Sequence, residues 1–175
     1  MASENRFHFP NPGEVGGHFQ RFVLQALASE DPGLVSFVGL GKDGAIDLSS
    51  TSNQCRHVVE CKYIGEDGLD TARKRWVITR DHLREHLTKF CEGRLTEKQY
   101  LPWTTISPRI ERYSFCVSSL LGIQQAKDTL EREIREFFLS FSQPQLAHLQ
   151  SIQVVVKDAG DWATACVRDP LLKFR

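Results

Sequence analysis

The chain has 175 residues, enough for one domain with a sizeable core. Hydrophobic residues make up 41% and charged residues 25%, the balance of a folded globular protein, so disorder is not the default. Twenty-two basic and twenty-two acidic residues give a formal net charge of zero, so contact with nucleic acid must rest on a local basic patch or on a larger assembly.

Five cysteines, Cys55, Cys61, Cys91, Cys116 and Cys166, form no CxxC pair and are odd in number. That pattern suits free thiols in a reducing compartment. Cys55, His57 and Cys61 match no common structural zinc spacing. The N-terminus has no apolar signal segment and no run approaches a membrane span, which predicts a cytoplasmic protein without membrane contact.

Residues 1–13, with Pro10, Pro12 and Gly13, read as a lead-in arm. A helix is predicted over 14–28, because Phe19, Phe22, Val23, Ala26 and Leu27 recur at helical spacing. Asp31-Pro32-Gly33 is a turn, followed by a strand over 34–40 and a tight turn over 41–44. A strand over 44–48, a polar linker over 49–56 and a strand over 57–64 make the next unit, read as a hairpin. Alternation in the last of these puts Val58, Glu60 and Lys62 on one face and Val59, Cys61 and Tyr63 on the other.

After a break at 65–68, a helix is predicted over 70–91 with Asp70 as its cap and Trp76, Leu83, Leu87 and Phe90 as its apolar stripe. Arg73, Lys74, Arg75, Arg80 and Arg84 make it the most basic part of the chain. They read equally as phosphate contacts or as a solvated face. His82 and His86 have metal-ligand spacing without an HExxH pattern, and surface histidines account for them better. Residues 92–111, with Tyr100, Pro102, Trp103 and Pro108, read as a long loop of the functional or partner-contacting kind. A strand over 113–118, a helix over 122–141 and a strand over 152–157 follow. Asp128 with Arg132, and Glu131 with Arg135, are expected to support that helix. The fold class is therefore α/β: helix, three strands, helix, strand, helix, strand.

The chemistry concentrates at Asp47, Glu60 and Lys62. Charges among Val, Ile and Leu are costly unless they are paired or bound to a metal. Two carboxylates from neighbouring strands suit Mg²⁺ or Mn²⁺, which take oxygen ligands, with the Cys61 carbonyl completing the shell. Lys62 is a compact cation able to orient a water or stabilise a transition state. Together they point to metal-assisted phosphodiester hydrolysis. A structural ion pair on a half-exposed strand is the alternative. Asp43 is a competing first acid, but its turn position gives it less defined direction than Asp47.

Asp47 with Glu60-Cys61-Lys62 resembles the PD-(D/E)xK motif of restriction-endonuclease-like nucleases, with Ile46 where the motif has proline. The resemblance spans roughly residues 14–118. It implies the αβββαβ core of that superfamily, a mixed sheet flanked by helices, and a Mg²⁺-dependent endonuclease acting on double-stranded DNA. In many of its nucleases the first helix adds an acid to the metal site. That suggests Glu14, with Gln20 assisting, although Glu14 reads equally as a first-turn acid favoured by the helix dipole. The first helix around Glu14, Gly17, Phe19 and Gln20, and the close at Trp162 and Leu171-Leu172, resemble N-terminal effector nucleases of bacterial anti-phage proteins of Mrr-like or CBASS-effector type. That implies a nuclease domain over 14–158, and a linker or helix beginning at 159–175 that leads to a sensor or STAND ATPase module. It also implies activation by homo-oligomerisation. A catalytically silent DNA-binding or oligomerisation module, and an enzyme acting on RNA or branched DNA, are the competing functions.

Overall fold

The strand alternation of residues 55–62 organises the molecule, because it points one set of side chains into each of two helix layers. The structure is a computed structural model and describes residues 15–37 and 44–174. Its centre is a five-stranded sheet in the order β1 (Val35–Ser36), β2 (Leu48–Ser52), β3 (Cys55–Lys62), β4 (Arg109–Val117) and β5 (Gln153–Lys157). The first two pairings are antiparallel and the last two parallel. Parallel neighbours need crossovers long enough to hold a helix. α2 (Leu69–Cys91) joins β3 to β4, and α4 (Gln124–Leu139) joins β4 to β5. The molecule is thus a mixed α/β fold with helices on both sides of the sheet.

Val58, Tyr113, Phe115, Val154 and Val156 pack with Trp76, Leu83 and Leu87 of α2 and Leu130, Ile134 and Phe138 of α4. Leu48, Val59 and Cys116 pack on the opposite face with Phe19, Phe22 and Val23 of α1 (Val15–Leu27) and Trp162 of α5 (Ala159–Arg168). Trp162 takes Phe19 and Phe22 edge-on at 6.1 and 5.9 Å and donates its indole N–H to the Val117 carbonyl at 2.7 Å. The stretch expected to begin a linker or helix is therefore a helix packed onto the core. Asp158 and Asp161 close a capping box at its start. No helix among the described residues is long and apolar enough to cross a membrane.

Several boundaries differ from the sequence reading, each for a local reason. The polar linker expected over 49–56 is instead the hairpin itself. β2 runs through Ser49–Ser52, and Asn53 and Gln54, at φ 49° and 62°, make the two-residue turn that matches strand twist. Hydroxyl side chains hid this strand from a hydrophobicity pattern. The strand expected over 44–48 begins only at Leu48. Gly44 and Ala45 form a turn with Ala45 at φ 59°. A Cβ on Gly44 would lie 2.2 Å from the Gln99 carbonyl oxygen, so the position tolerates only glycine. Of the strand expected over 34–40, Val35–Ser36 is paired, and 38–40 lie outside the described residues, as do the turn at 41–43 and Asp43.

Asp70 sits in the first turn of α2 rather than capping it; the cap position is Gly68, whose N–H donates to Leu120 O at 2.8 Å. The loop expected over 92–111 holds a 3-10 turn (Lys98–Tyr100) and α3 (Leu101–Thr104), and Trp103 is fully buried against Phe138. Pro102 reads as a loop signal but occupies the first turn of a helix, where a missing N–H costs nothing. In α4, Arg132 pairs with Glu136 at 3.9 Å, and Glu131 accepts the Val156 N–H of β5 at 2.9 Å. The expected i, i+4 partners thus have other engagements.

Candidate active site

Asp47, Glu60 and Lys62 meet at the C-terminal end of β3. Leu48 pairs with Val59, so the register continued by one position sets Asp47 opposite Glu60. Asp47 precedes β2, yet its backbone is held as firmly as a strand residue's. Its N–H donates to Val59 O at 2.8 Å and its carbonyl accepts from Phe37 N–H at 2.8 Å. The same carbonyl accepts the Gln20 side-chain amide at 2.9 Å, which brings α1 to the site. Asp47 Oδ2 accepts the Cys61 N–H at 2.6 Å, so Cys61 joins the site through its main chain. Glu14 lies outside the described residues.

Glu60 is 1% exposed. Its Oε1 accepts Thr79 Oγ1–H at 2.6 Å and lies 2.5 Å from Lys62 Nζ; its Oε2 accepts the Tyr113 O–H at 2.5 Å. Burial and the Glu60 charge push the Tyr113 hydroxyl well above its ordinary value, so it stays a donor. Burial, and then the charges of Cys116, Asp47 and Glu60, raise the Cys61 thiol in the same way, which leaves it inert as a nucleophile. Sequence alternation gave Glu60 and Lys62 a common face. It gave no sign of Thr79 or Tyr113, which lie 19 and 53 residues away.

Glu60 and Lys62 line a cleft of about 190 Å³ together with Gly44, Ala45, Ile78, Thr79, His82 and Tyr100. Among the described residues no group of three or more His, Cys, Asp or Glu side chains is placed to hold a metal. Asp47 and Glu60 offer two carboxylates, a number that fits Mg²⁺, an ion that keeps several waters and is held through one or two carboxylates. Asp47 and Glu60 against Lys62 leave one formal negative charge for a cation to balance.

The basic residues of α2 separate into two groups. Arg73 grips Glu133 of α4 through Nε and Nη2 at 2.9 and 2.7 Å and also bonds Asp70 at 3.1 Å. Arg80 pairs with Asp81 at 2.8 Å, and Arg84 lies over the Phe137 ring at 5.1 Å. Lys74 and Arg75 are exposed. Arg75 precedes Ile78 and Thr79 by one turn, so it shares their stripe toward the cleft. His82 faces the cleft. His86 stacks on Tyr100 with centroids 3.8 Å apart and donates from Nδ1 to His82 O at 2.8 Å, so the two imidazoles do not form a ligand pair.

A second polar cluster lies on the other face of the sheet, and the sequence offered no sign of it. His57 Nδ1 is 2.8 Å from Asp31 Oδ2, and Nε2 is 2.9 Å from Ser114 Oγ. Ser50 Oγ–H donates to the same Asp31 oxygen at 2.5 Å. The order Ser114, His57, Asp31 copies a nucleophile relay, but Ser114 is 0% exposed, so no substrate reaches it. The cluster instead ties the turn after α1 to β2, β3 and β4. Burial lowers the His57 imidazole below its ordinary 6.5, aided by the Arg112 charge and opposed by Asp31 and Glu30. Burial also opposes ionisation of Asp31, but the bonds from Ser50 and His57, the His57 charge and Gly33 N–H outweigh it and lower that group. Both groups then bind fewer protons folded than unfolded, so stability falls with falling pH: below 6.5 through His57, then below 3.8 through Asp31. Thermal unfolding followed from about pH 7 to about pH 5 should show this loss, and His57→Gln should flatten it.

No protein-family model, curated protein or solved structure matches this chain.

Proposed function

We propose that this chain is a metal-dependent endonuclease domain of the restriction-endonuclease-like class, acting on double-stranded DNA. The observation that carries the reading is the meeting of Asp47, Glu60 and Lys62 at one end of β3, beside a cleft edged by α2. The element order supports the αβββαβ core, as does a sheet antiparallel from β1 to β3 and parallel from β3 to β5. Asp47 and Glu60 would hold the cation, with the Cys61 carbonyl as a further oxygen. Bound there, Mg²⁺ or Mn²⁺ would supply a more acidic water and positive charge against the phosphate. Lys62 orients the attacking water and donates to the developing charge, and Gln20 fixes the Asp47 backbone. The resemblance of the first helix and of the close at Trp162 and Leu171-Leu172 to effector nucleases extends the proposal to a cytoplasmic role in anti-phage defence. One site cuts one strand, so a double-strand break in that role requires assembled copies.

Glu60 is buried and holds three donors, which favours a second reading as a catalytically silent DNA-binding or oligomerisation domain of the same fold. Incubation with plasmid, linear duplex, branched DNA and RNA in Mg²⁺ separates the possibilities. Plasmid nicking is the expected result. Cutting of RNA or junctions alone reassigns the substrate, and no cutting of any of them leaves the silent reading.

Phosphate contact falls to Lys74 and Arg75, since Arg73 and Arg80 have carboxylate partners. Replacing Lys74 and Arg75 together by Ala should weaken DNA binding across sequences and flatten the log–log salt slope by about 1.8, two phosphates' worth. Arg73→Ala should chiefly loosen α2 from α4. An unchanged slope in the double variant would make the cluster a solvated face.

A further inference from the structure

We infer that Thr79 and Tyr113 are positioning residues that aim the Glu60 carboxylate at a divalent cation in the cleft; this rests on the metal-dependent reading above. A carboxylate offers about four lone-pair positions. Thr79 and Lys62 address Oε1, and Tyr113 addresses Oε2 at 2.5 Å. Three positions are thereby used by donors from α2, β3 and β4, and about one remains for a ligand from the cleft that Glu60 lines.

The two hydroxyls are unusually placed for a merely structural role. Thr79 is a buried polar residue in the middle of a helix. Its side chain reaches 19 residues back to Glu60, whereas a mid-helix threonine commonly bonds the carbonyl one turn earlier. Tyr113 is fully buried among Trp76, Trp103 and Phe138, an environment that a phenylalanine would fill as well. Its hydroxyl is used on Glu60. Two sides of one carboxylate are thus fixed from two different elements, which sets both the position and the rotation of the group. Partners of this kind, one step behind a ligating side chain, change metal affinity by about 10–100-fold when removed.

The test compares wild type, Thr79→Val, Thr79→Ser and Tyr113→Phe. Mn²⁺ binding is measured by calorimetry and Mg²⁺-dependent plasmid nicking over a metal titration, with thermal unfolding as the check on folding. Thr79→Val and Tyr113→Phe should each raise the half-saturating metal concentration by about 10–100-fold, with much of the rate recovered at saturating metal. Thr79→Ser restores the hydroxyl and should restore the affinity. Unshifted metal affinity in folded Thr79→Val and Tyr113→Phe overturns the inference while leaving the nuclease reading in place. So does loss of affinity in Thr79→Ser equal to that in Thr79→Val. Absence of Mn²⁺ binding and of nicking in the wild type overturns both together.

Discussion

Lys62→Ala, Glu60→Gln and Asp47→Asn are each expected to lower phosphodiester cleavage by at least about 10²–10³-fold, the usual cost of removing one group that stabilises charge at the reacting centre. Lys62 Nζ lies 2.5 Å from Glu60 and its side chain remains 25% exposed, so the ammonium reaches both the carboxylate and the cleft. Conservative replacements matter here. Glu60→Ala would leave Lys62, Thr79 and Tyr113 facing a cavity. Removing one partner of a buried ion pair costs about 3–5 kcal/mol, and lost activity could then reflect lost structure. Glu60→Gln removes the charge, keeps an oxygen for one hydroxyl and offers an amide N–H to the other, which can accept it. Asp47→Asn keeps an acceptor for the Cys61 N–H in the same way. Single-turnover plasmid nicking, with urea unfolding as control, separates the two causes. Wild-type rates in all three folded variants would remove the site.

The acid–acid–lysine set was legible because it depends on local rules. Alternation fixed the shared face of Glu60 and Lys62, and a short connection brought Asp47 to the neighbouring strand. The helices of residues 15–27, 69–91 and 124–139 were legible because their apolar stripes recur at helical spacing. The hairpin's strand and turn bounds were not, because Ser49, Ser50, Thr51 and Ser52 carry no apolar signal. Ser49 and Ser50 are buried nonetheless, and Ser50 bonds Asp31. The burial of Trp103 within the stretch read as a long loop was not legible, because it depends on Gly44, 59 residues earlier, whose carbonyl takes its indole N–H at 2.7 Å. The basic cluster on α2 shows the same limit. Sequence grouped Arg73 with Lys74 and Arg75, while the fold turns Arg73 toward Glu133, 60 residues away. What stayed hidden in each case is a pairing between distant segments, which no local period encodes.

Burial of Glu60 has a bearing on how a cation would enter. A carboxylate held by Thr79, Tyr113 and Lys62 is already satisfied, so metal binding must compete with the Lys62 ammonium for Oε1 or use the remaining position on Oε2. Either route moves or shares one donor rather than unfolding the site, because Lys62 is the most exposed of the three. The Asp47 side stays anchored meanwhile through Gln20, Val59 and Cys61.

Chelation is therefore expected to remove cleavage entirely, and restoring Mg²⁺ or Mn²⁺ should return it. The two carboxylates repel each other and only one ammonium offsets them, so withdrawing the cation leaves an excess negative charge facing a phosphate that is itself negative. Both the binding of the phosphate and the activation of water then fail together. Ca²⁺ should bind without supporting turnover, because it takes six to eight oxygens at about 2.3–2.6 Å and holds them loosely, whereas Mg²⁺ demands octahedral geometry at about 2.0–2.1 Å. The binding has a readout apart from activity: a cation held only by the folded state at about 100 times its dissociation constant adds about 2.7 kcal/mol of stability. Mn²⁺ should thus raise the thermal midpoint of the wild type and raise it much less in Asp47→Asn and Glu60→Gln. Undiminished cleavage in excess EDTA would rule out the metal mechanism, and an equal Mn²⁺ stabilisation of wild type and both carboxylate variants would put the cation elsewhere on the chain.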